Sequence, residues 1–150
     1  MTTTGQFATA AAQVGPLDNE ARADAVTLHD LLTKPRGALG RLEPLGIRLA
    51  AIAGVCPPPL PTPAAVAVFA ADHGVLAEGV SPWPQEVTAQ MVANFCAGGA
   101  AINVLARQVG ASVTVVDVGV ATDLDAMGLA GAPGLLRRNV RRGTADLVAG

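Results

Sequence analysis

The sequence predicts an α/β fold: an N-terminal helical hairpin, a stiff linker, then a βαβ unit of a parallel sheet that is incomplete in this chain. Three observations carry that reading. Two Val-rich apolar segments, residues 64–71 and 112–119, lack the alternation of a half-solvated strand, which is the pattern of strands covered on both faces. A long helical stretch lies between them, and strand, helix, strand is the βαβ unit. Upstream, two segments repeat apolar residues every three or four positions, the period of an amphipathic helix.

Residues 1–15 are small and polar without periodicity and read as a frayed lead-in. Asp18 or Asn19 then offers an N-cap to a helix over 20–33, with Ala25, Leu28, Leu31 and Leu32 on one face and Pro35 closing it. A second helix over 38–53 carries Leu39, Leu42, Leu45, Leu49 and Ile52, and Gly54 supplies its stop. Five prolines in the eight residues 56–63 forbid helix and central strand alike. The chain therefore divides into a helical segment, 1–55, a Pro-rich linker, 56–63, and the start of an α/β domain, 64–150.

The helical stretch after the first strand begins at Ser81 or Trp83, since Pro82 and Pro84 are tolerated in a first turn whose amides lack intrahelical partners. Val87, Met91 and Phe95 form one stripe, which Ile102, Leu105 and Val109 continue beyond Gly98-Gly99. Two central glycines each cost a helix roughly 1 kcal/mol relative to alanine, so they mark either a break or a face pressed against the sheet. After Gly119 come a loop rich in Asp and Gly and a short basic segment, 135–143. Two parallel strands alone cannot cover both faces, so further sequence or a partner is expected.

Composition narrows the function classes. Aromatic residues are 3% with no Tyr, leaving alanine and valine to supply most packing area. A net charge of −2 argues against non-specific nucleic-acid binding, which draws on a basic surface. Cys56 and Cys96 sit forty positions apart without a C-x-x-C or histidines at ligand spacing, which reads as two free thiols in a reducing cytoplasm and no metal site. No Lys or Arg precedes an apolar run in the first fifteen residues, as a secretory signal would require. The longest uninterrupted apolar run, 64–71, is far below the ~18 residues of a membrane span. The expectation is a soluble, cytoplasmic chain.

The chemistry-bearing residues cluster after the first strand. Asp72-His73-Gly74 reads either as a ligand or positioning site outside the carboxyl edge of the sheet, or as an Asx-type turn with His73 half-buried. Gly74-x-x-x-x-Gly79 lacks the Lys and Ser/Thr of a P-loop and no G-x-G-x-x-G follows the strand, so neither ATP nor NAD is indicated. Asp117 loses a ribose-binding meaning for the same reason. Ser81-Pro-Trp-Pro-Gln-Glu86 joins the only Trp to a helix start. Trp83 reads as the wall of a flat aromatic substrate whose ring nitrogens Ser81 and Gln90 satisfy, or as surface cover beside a capped helix. Four arginines, Arg137, Arg138, Arg141 and Arg142, read as a solvated face, with Arg142 beside Gly143-Thr144 the one candidate for a phosphate.

A co-linear set of segments then resembles one family. Lys34-Pro-Arg-Gly-Ala-Leu-Gly-Arg-Leu-Glu43, Asp72-His-Gly, Glu78-Gly-Val-Ser81, Glu86-Val-Thr88, Gln90-Met91, Ala97-Gly-Gly-Ala-Ala-Ile-Asn103, Val116-Asp-Val-Gly119 and Arg142-Gly-Thr144 follow the order found in the nicotinate-nucleotide:dimethylbenzimidazole phosphoribosyltransferases. The resemblance runs from about Leu17 to the end of the chain. It implies an α/β large domain with a parallel, Rossmann-like sheet, a smaller helical domain built partly from the N-terminus, and a homodimer. It also implies transfer of phosphoribose from nicotinate mononucleotide to dimethylbenzimidazole, without a cofactor or metal. Ser81 and Gln90 would line the benzimidazole pocket, with Pro82 and Trp83 as neighbouring wall. The catalytic glutamate of the family is expected beyond Gly150, so no residue here is assigned as the base. The rival expectation is a non-catalytic α/β ligand-binding or regulatory module.

Overall fold

The computed structural model describes residues 3–149. Two compact units emerge, Met1–Pro61 and Thr62–Gly150.

The first unit is helical. Residues expected to be a frayed lead-in form a helix instead, α1 (Thr3–Ala12). Its run of alanines has the highest helix propensity of any residue, which outweighs the missing amphipathic period. In α2 (Asn19–Leu31) the N-cap is Asp18, whose Oδ1 accepts the Ala21 amide at 2.8 Å. Helix α3 (Leu42–Ala53) starts later than expected because residues 37–41 are turns, and it stops at Gly54 in the left-handed region, φ 67°. The Asp18 amide donates to Ala51 O at 2.9 Å, tying the start of α2 to the end of α3 as an antiparallel hairpin.

The buried face of that hairpin differs from the leucine stripes read from the sequence. Ala21, Ala25, Ala50 and Ala51 are the buried residues, whereas Leu31, Leu39, Leu42, Leu45 and Ile52 are exposed. Small side chains let the two helices approach closely, which leaves the leucines on outer faces.

In the second unit, β1 (Ala65–Ala71), β2 (Ser112–Gly119) and β3 (Leu135–Arg137) form a parallel sheet in the order β1-β2-β3. The third strand falls in the segment read only as basic. Leu135, Leu136 and Arg137 pair with Val115, Val116 and Asp117, and Asp117 takes up the charge of Arg137 that would otherwise disfavour a strand there. Val115, Val120 and Leu124 meet Ala89 and Val92 in the core, flanked by Ala70, Phe95, Cys96, Leu129 and Leu135. Burial pushes the Cys96 thiol up from its ordinary pKa, and both cysteines are free.

Strand β1 is not covered on both faces. Ala65, Ala67 and Phe69 are exposed while their neighbours are partly buried, and the in-register row Phe69, Val116, Leu136 includes a phenylalanine 69% exposed.

The long helical stretch is two helices, α4 (Glu86–Cys96) and α5 (Ala101–Gln108), parted at Gly98, φ 78°. The break is secured by Asn103 Nδ2, which donates to Phe95 O at 3.1 Å. On average, Glu86–Gln108 has the length and hydropathy to cross a membrane, but the break divides it, and Ala89 and Val92 pack in the core. Helix α4 begins later than Ser81 or Trp83. A residue before proline is pushed out of the helical region, so Pro82 and Pro84 delay the first helical turn. The amides of Val87 and Thr88 accordingly reach back only to Pro84 O and Gln85 O.

Candidate active site at the carboxyl edge of the sheet

The ends of β1 and β2 are fastened by two aspartates. Asp72 is buried, and its Oδ2 accepts the Ala121 amide at 2.8 Å across to the loop after β2. It is therefore a strut between loops and not the cap of an Asx-type turn, and the following His73 is exposed, not half-buried. The Asp72 amide donates to Gly119 O at 3.0 Å and its carbonyl accepts the Thr144 amide at 3.0 Å, so residues 143–146 lie edge-on against 72–74. Gly74 is required there: a Cβ would lie 2.5 Å from Asp146 N and 2.7 Å from Ala145 C.

Asp117 has no exposed surface. Its Oδ1 accepts the amides of Gly119 at 3.1 Å and Val120 at 2.9 Å, and its Oδ2 accepts from Arg137 Nε at 3.0 Å and Asn139 Nδ2 at 3.1 Å. A buried carboxylate survives only with such compensation. Arg137 also bonds Asp125 through Nη1 at 2.6 Å. Arg137 is thus a bridge between two carboxylates, contrary to the solvated face expected for it. The sequence signal for this hub was an Asp two residues before a strand-ending Gly, legible only once the basic segment is seen as a third strand.

A pocket of about 290 Å³ opens beside these loops. Its apolar wall includes Leu76, Val80, Trp83, Pro84 and Val87, and its polar groups include His73, Ser81, Gln85 and Thr88. That size is at the low end of small-molecule sites, ~300–1,000 Å³. Ser81 and Trp83 are brought together in it, and Ser81 Oγ accepts the Trp83 amide at 3.2 Å, bending the chain so that the indole forms the wall. Pro82 lies outside the lining and is exposed. Gln90 is also exposed and outside the lining, three residues along α4 from the pocket residue Val87.

Arg142 is elsewhere. Its Nη2 bonds Asp123 Oδ2 at 2.8 Å on the surface. That bond, followed by the amides of Ala126 and Asp125, holds the Asp123 carboxyl below the usual carboxylate range. A larger cavity of about 420 Å³ lies between α2 and α3, lined by Val26, Ile47, Arg22 and Arg48 among others, and contains none of the residues singled out by sequence. Among the described residues no three His, Cys, Asp or Glu side chains are grouped to hold a metal ion.

A phosphoribosyltransferase family model matches residues 14–150 of the chain. The chain belongs to that phosphoribosyltransferase family. Within the family it is 60% identical to the nicotinate-nucleotide–dimethylbenzimidazole phosphoribosyltransferase of Salinispora tropica, over 91% of this chain and 40% of the relative. The enzyme of the same name from Chloroflexus aurantiacus is 58% identical, over 89% of this chain and 36% of its own length. The crystal structure of the Thermus thermophilus enzyme of that name superimposes with a TM-score of 0.81 at 53% identity, covering 89% of this chain and 39% of that one. The chain thus spans about two fifths of the phosphoribosyltransferases it matches.

Proposed function

We propose that the full-length protein transfers phosphoribose from nicotinate mononucleotide to dimethylbenzimidazole, releasing nicotinate and α-ribazole 5′-phosphate, and that this chain carries much of the acceptor pocket. The observation behind this reading is a largely apolar pocket with Ser81 and Trp83 in its lining, at the carboxyl edge of a parallel sheet. Open α/β sheets hold their ligands at that edge. The relatives' shared name supplies the reaction.

In the transfer, a ring nitrogen of the acceptor forms a bond to the anomeric carbon as the bond to the pyridinium nitrogen breaks, with inversion. The acceptor N–H proton passes to a general base, a glutamate expected in sequence beyond Gly150. Asp72 is given no such role, because it is buried and its Oδ2 is the strut that holds the Ala121 amide. Trp83 and the neighbouring apolar side chains exclude water from the ring, and Ser81 offers a hydroxyl to a ring nitrogen. Gln90, exposed and one turn along α4 from Val87, is assigned to the acceptor on the family resemblance alone. Pro82 stiffens the turn behind Trp83. Arg142 contributes to phosphate binding only by exchanging Asp123 for the nucleotide. A homodimer and cytoplasmic residence belong to the same proposal.

The test is the full-length protein with both substrates, followed by nicotinate release. Ser81→Ala or Gln90→Ala is expected to raise the KM for the acceptor up to about tenfold, the worth of one neutral hydrogen bond, and to leave that for the nucleotide unchanged. Absence of nicotinate release from the wild type, or equal effects on both substrates, removes the proposal.

A further inference from the structure

His73 stands apart from the other residues of the loop after β1. Asp72 and Gly74 on either side are consumed by backbone and strut contacts, whereas the imidazole is exposed and lines the pocket containing Trp83 and Ser81. Its Nδ1 lies 3.4 Å from Thr144 Oγ1, and the same hydroxyl accepts the Gly74 amide at 3.3 Å. Nε2 has no partner among the described residues. We infer that His73 is a specificity-determining residue of the pocket, held by Thr144 so that Nε2 recognises the unprotonated ring nitrogen of a planar azole.

The chemistry follows from the hydroxyl. A threonine carries one proton and two lone pairs. The Gly74 amide fills one lone pair of that hydroxyl; in the tautomer this role requires, the hydroxyl proton turns to Nδ1, making that nitrogen the acceptor and placing the ring proton on Nε2. An Nε2–H donor beside the apolar wall of the pocket selects a ring bearing a lone pair at that point, while the Ser81 hydroxyl, also in the lining, serves the other ring nitrogen. A benzimidazole has one such nitrogen and one N–H. Anchoring the first leaves the second facing the donor, so that proton loss and attack occur at the same atom. Thr144 acts through His73 and is a positioning residue. The Gly143-Thr144 pair thus gains a role in setting the pocket wall, its amides bonded to Gly119 O and Asp72 O.

This inference rests on the acceptor reading of the pocket, and calorimetric titration of the full-length protein with benzimidazole and with indole separates the two. Indole keeps the bicycle and the N–H but has carbon in place of the unprotonated nitrogen. Wild type is expected to prefer benzimidazole by on the order of tenfold. His73→Phe abolishes the preference while still binding indole; because His73 is exposed, the variant keeps the wild-type melting temperature. Thr144→Val weakens the preference and Thr144→Ser restores it. If wild type binds neither ring, the acceptor reading fails and this inference with it. If wild type prefers benzimidazole and His73→Phe preserves that preference, the inference alone is overturned.

Discussion

Asp117 and Arg137 form a 3.0 Å ion pair in which the carboxylate is wholly buried and the guanidinium is about one third exposed. The pair joins β2 to β3 at the register position where these two residues face each other. Arg137→Met removes the partner of a buried charge that still keeps two amides and Asn139. A loss of about 1–3 kcal/mol is expected in urea unfolding. In Asp117→Asn/Arg137→Met the two losses are expected to be non-additive, since the residues touch. Additive losses contradict a direct pair.

Gly74 faces a backbone, not a flexible side chain, so a single methyl there forces residues 145–146 away. Gly74→Ala is expected to destabilise by about 1–3 kcal/mol. The matched control is Gly15→Ala, where no atom lies within 4 Å of the added carbon, and its change should stay within about 0.5 kcal/mol. Equal melting temperatures for the two variants would show that the edge-on contact is absent.

Acid should weaken the loop between α2 and α3. Lys34 Nζ bonds Glu43 Oε1 at 2.7 Å, and the Leu39 amide reaches the same oxygen at 3.3 Å. The Lys34 bond first, then the Leu39 amide, holds the Glu43 carboxyl below its ordinary pKa of 4.5. Because the folded value is depressed, the contribution to stability is complete above the unfolded value and disappears as pH falls through the folded one. The stability gap between wild type and Glu43→Gln is therefore expected to be constant from neutral pH down to about 5 and to close below it. A gap that persists unchanged to about pH 2 excludes the linkage.

Much of this architecture is legible in the chain. The Asp18 cap, the Gly54 stop and the strand ending at Gly119 are local signals, and local signals suffice where one residue satisfies its own neighbours. Periodicity located the helices but misjudged which face packs, because Ala21, Ala25, Ala50 and Ala51 form the contact while the leucines stay outside. Strand β3 was hidden because its arginine is paired by Asp117, twenty residues earlier in sequence. The same distance problem hid the His73–Thr144 contact, which spans 71 positions. Of the residues singled out by sequence for the acceptor, Ser81 and Trp83 line one pocket, just ahead of the proline-delayed helix start. Gln90 and Pro82 were one turn and one residue outside the lining, an offset set by where α4 begins.

Arg142 offers a signed test of the phosphate proposal. Its guanidinium is bonded to Asp123 on the surface, and an exposed pair of this kind contributes little to stability, about 0–1 kcal/mol. Breaking it therefore leaves the fold intact and isolates ligand effects. If Arg142 binds the nucleotide phosphate, Asp123 is its competitor. Arg142→Gln in the full-length protein should then raise the KM for nicotinate mononucleotide, and Asp123→Asn should lower it by releasing the guanidinium. The acceptor KM should not move in either variant, because Arg142 is not among the residues lining the pocket that holds Trp83. Charge-assisted bonds are strong but screened in exposed settings, so both shifts should shrink as salt is raised. Opposite signs at low salt support the exchange. Unchanged nucleotide KM values in both variants assign Arg142 and Asp123 to each other alone.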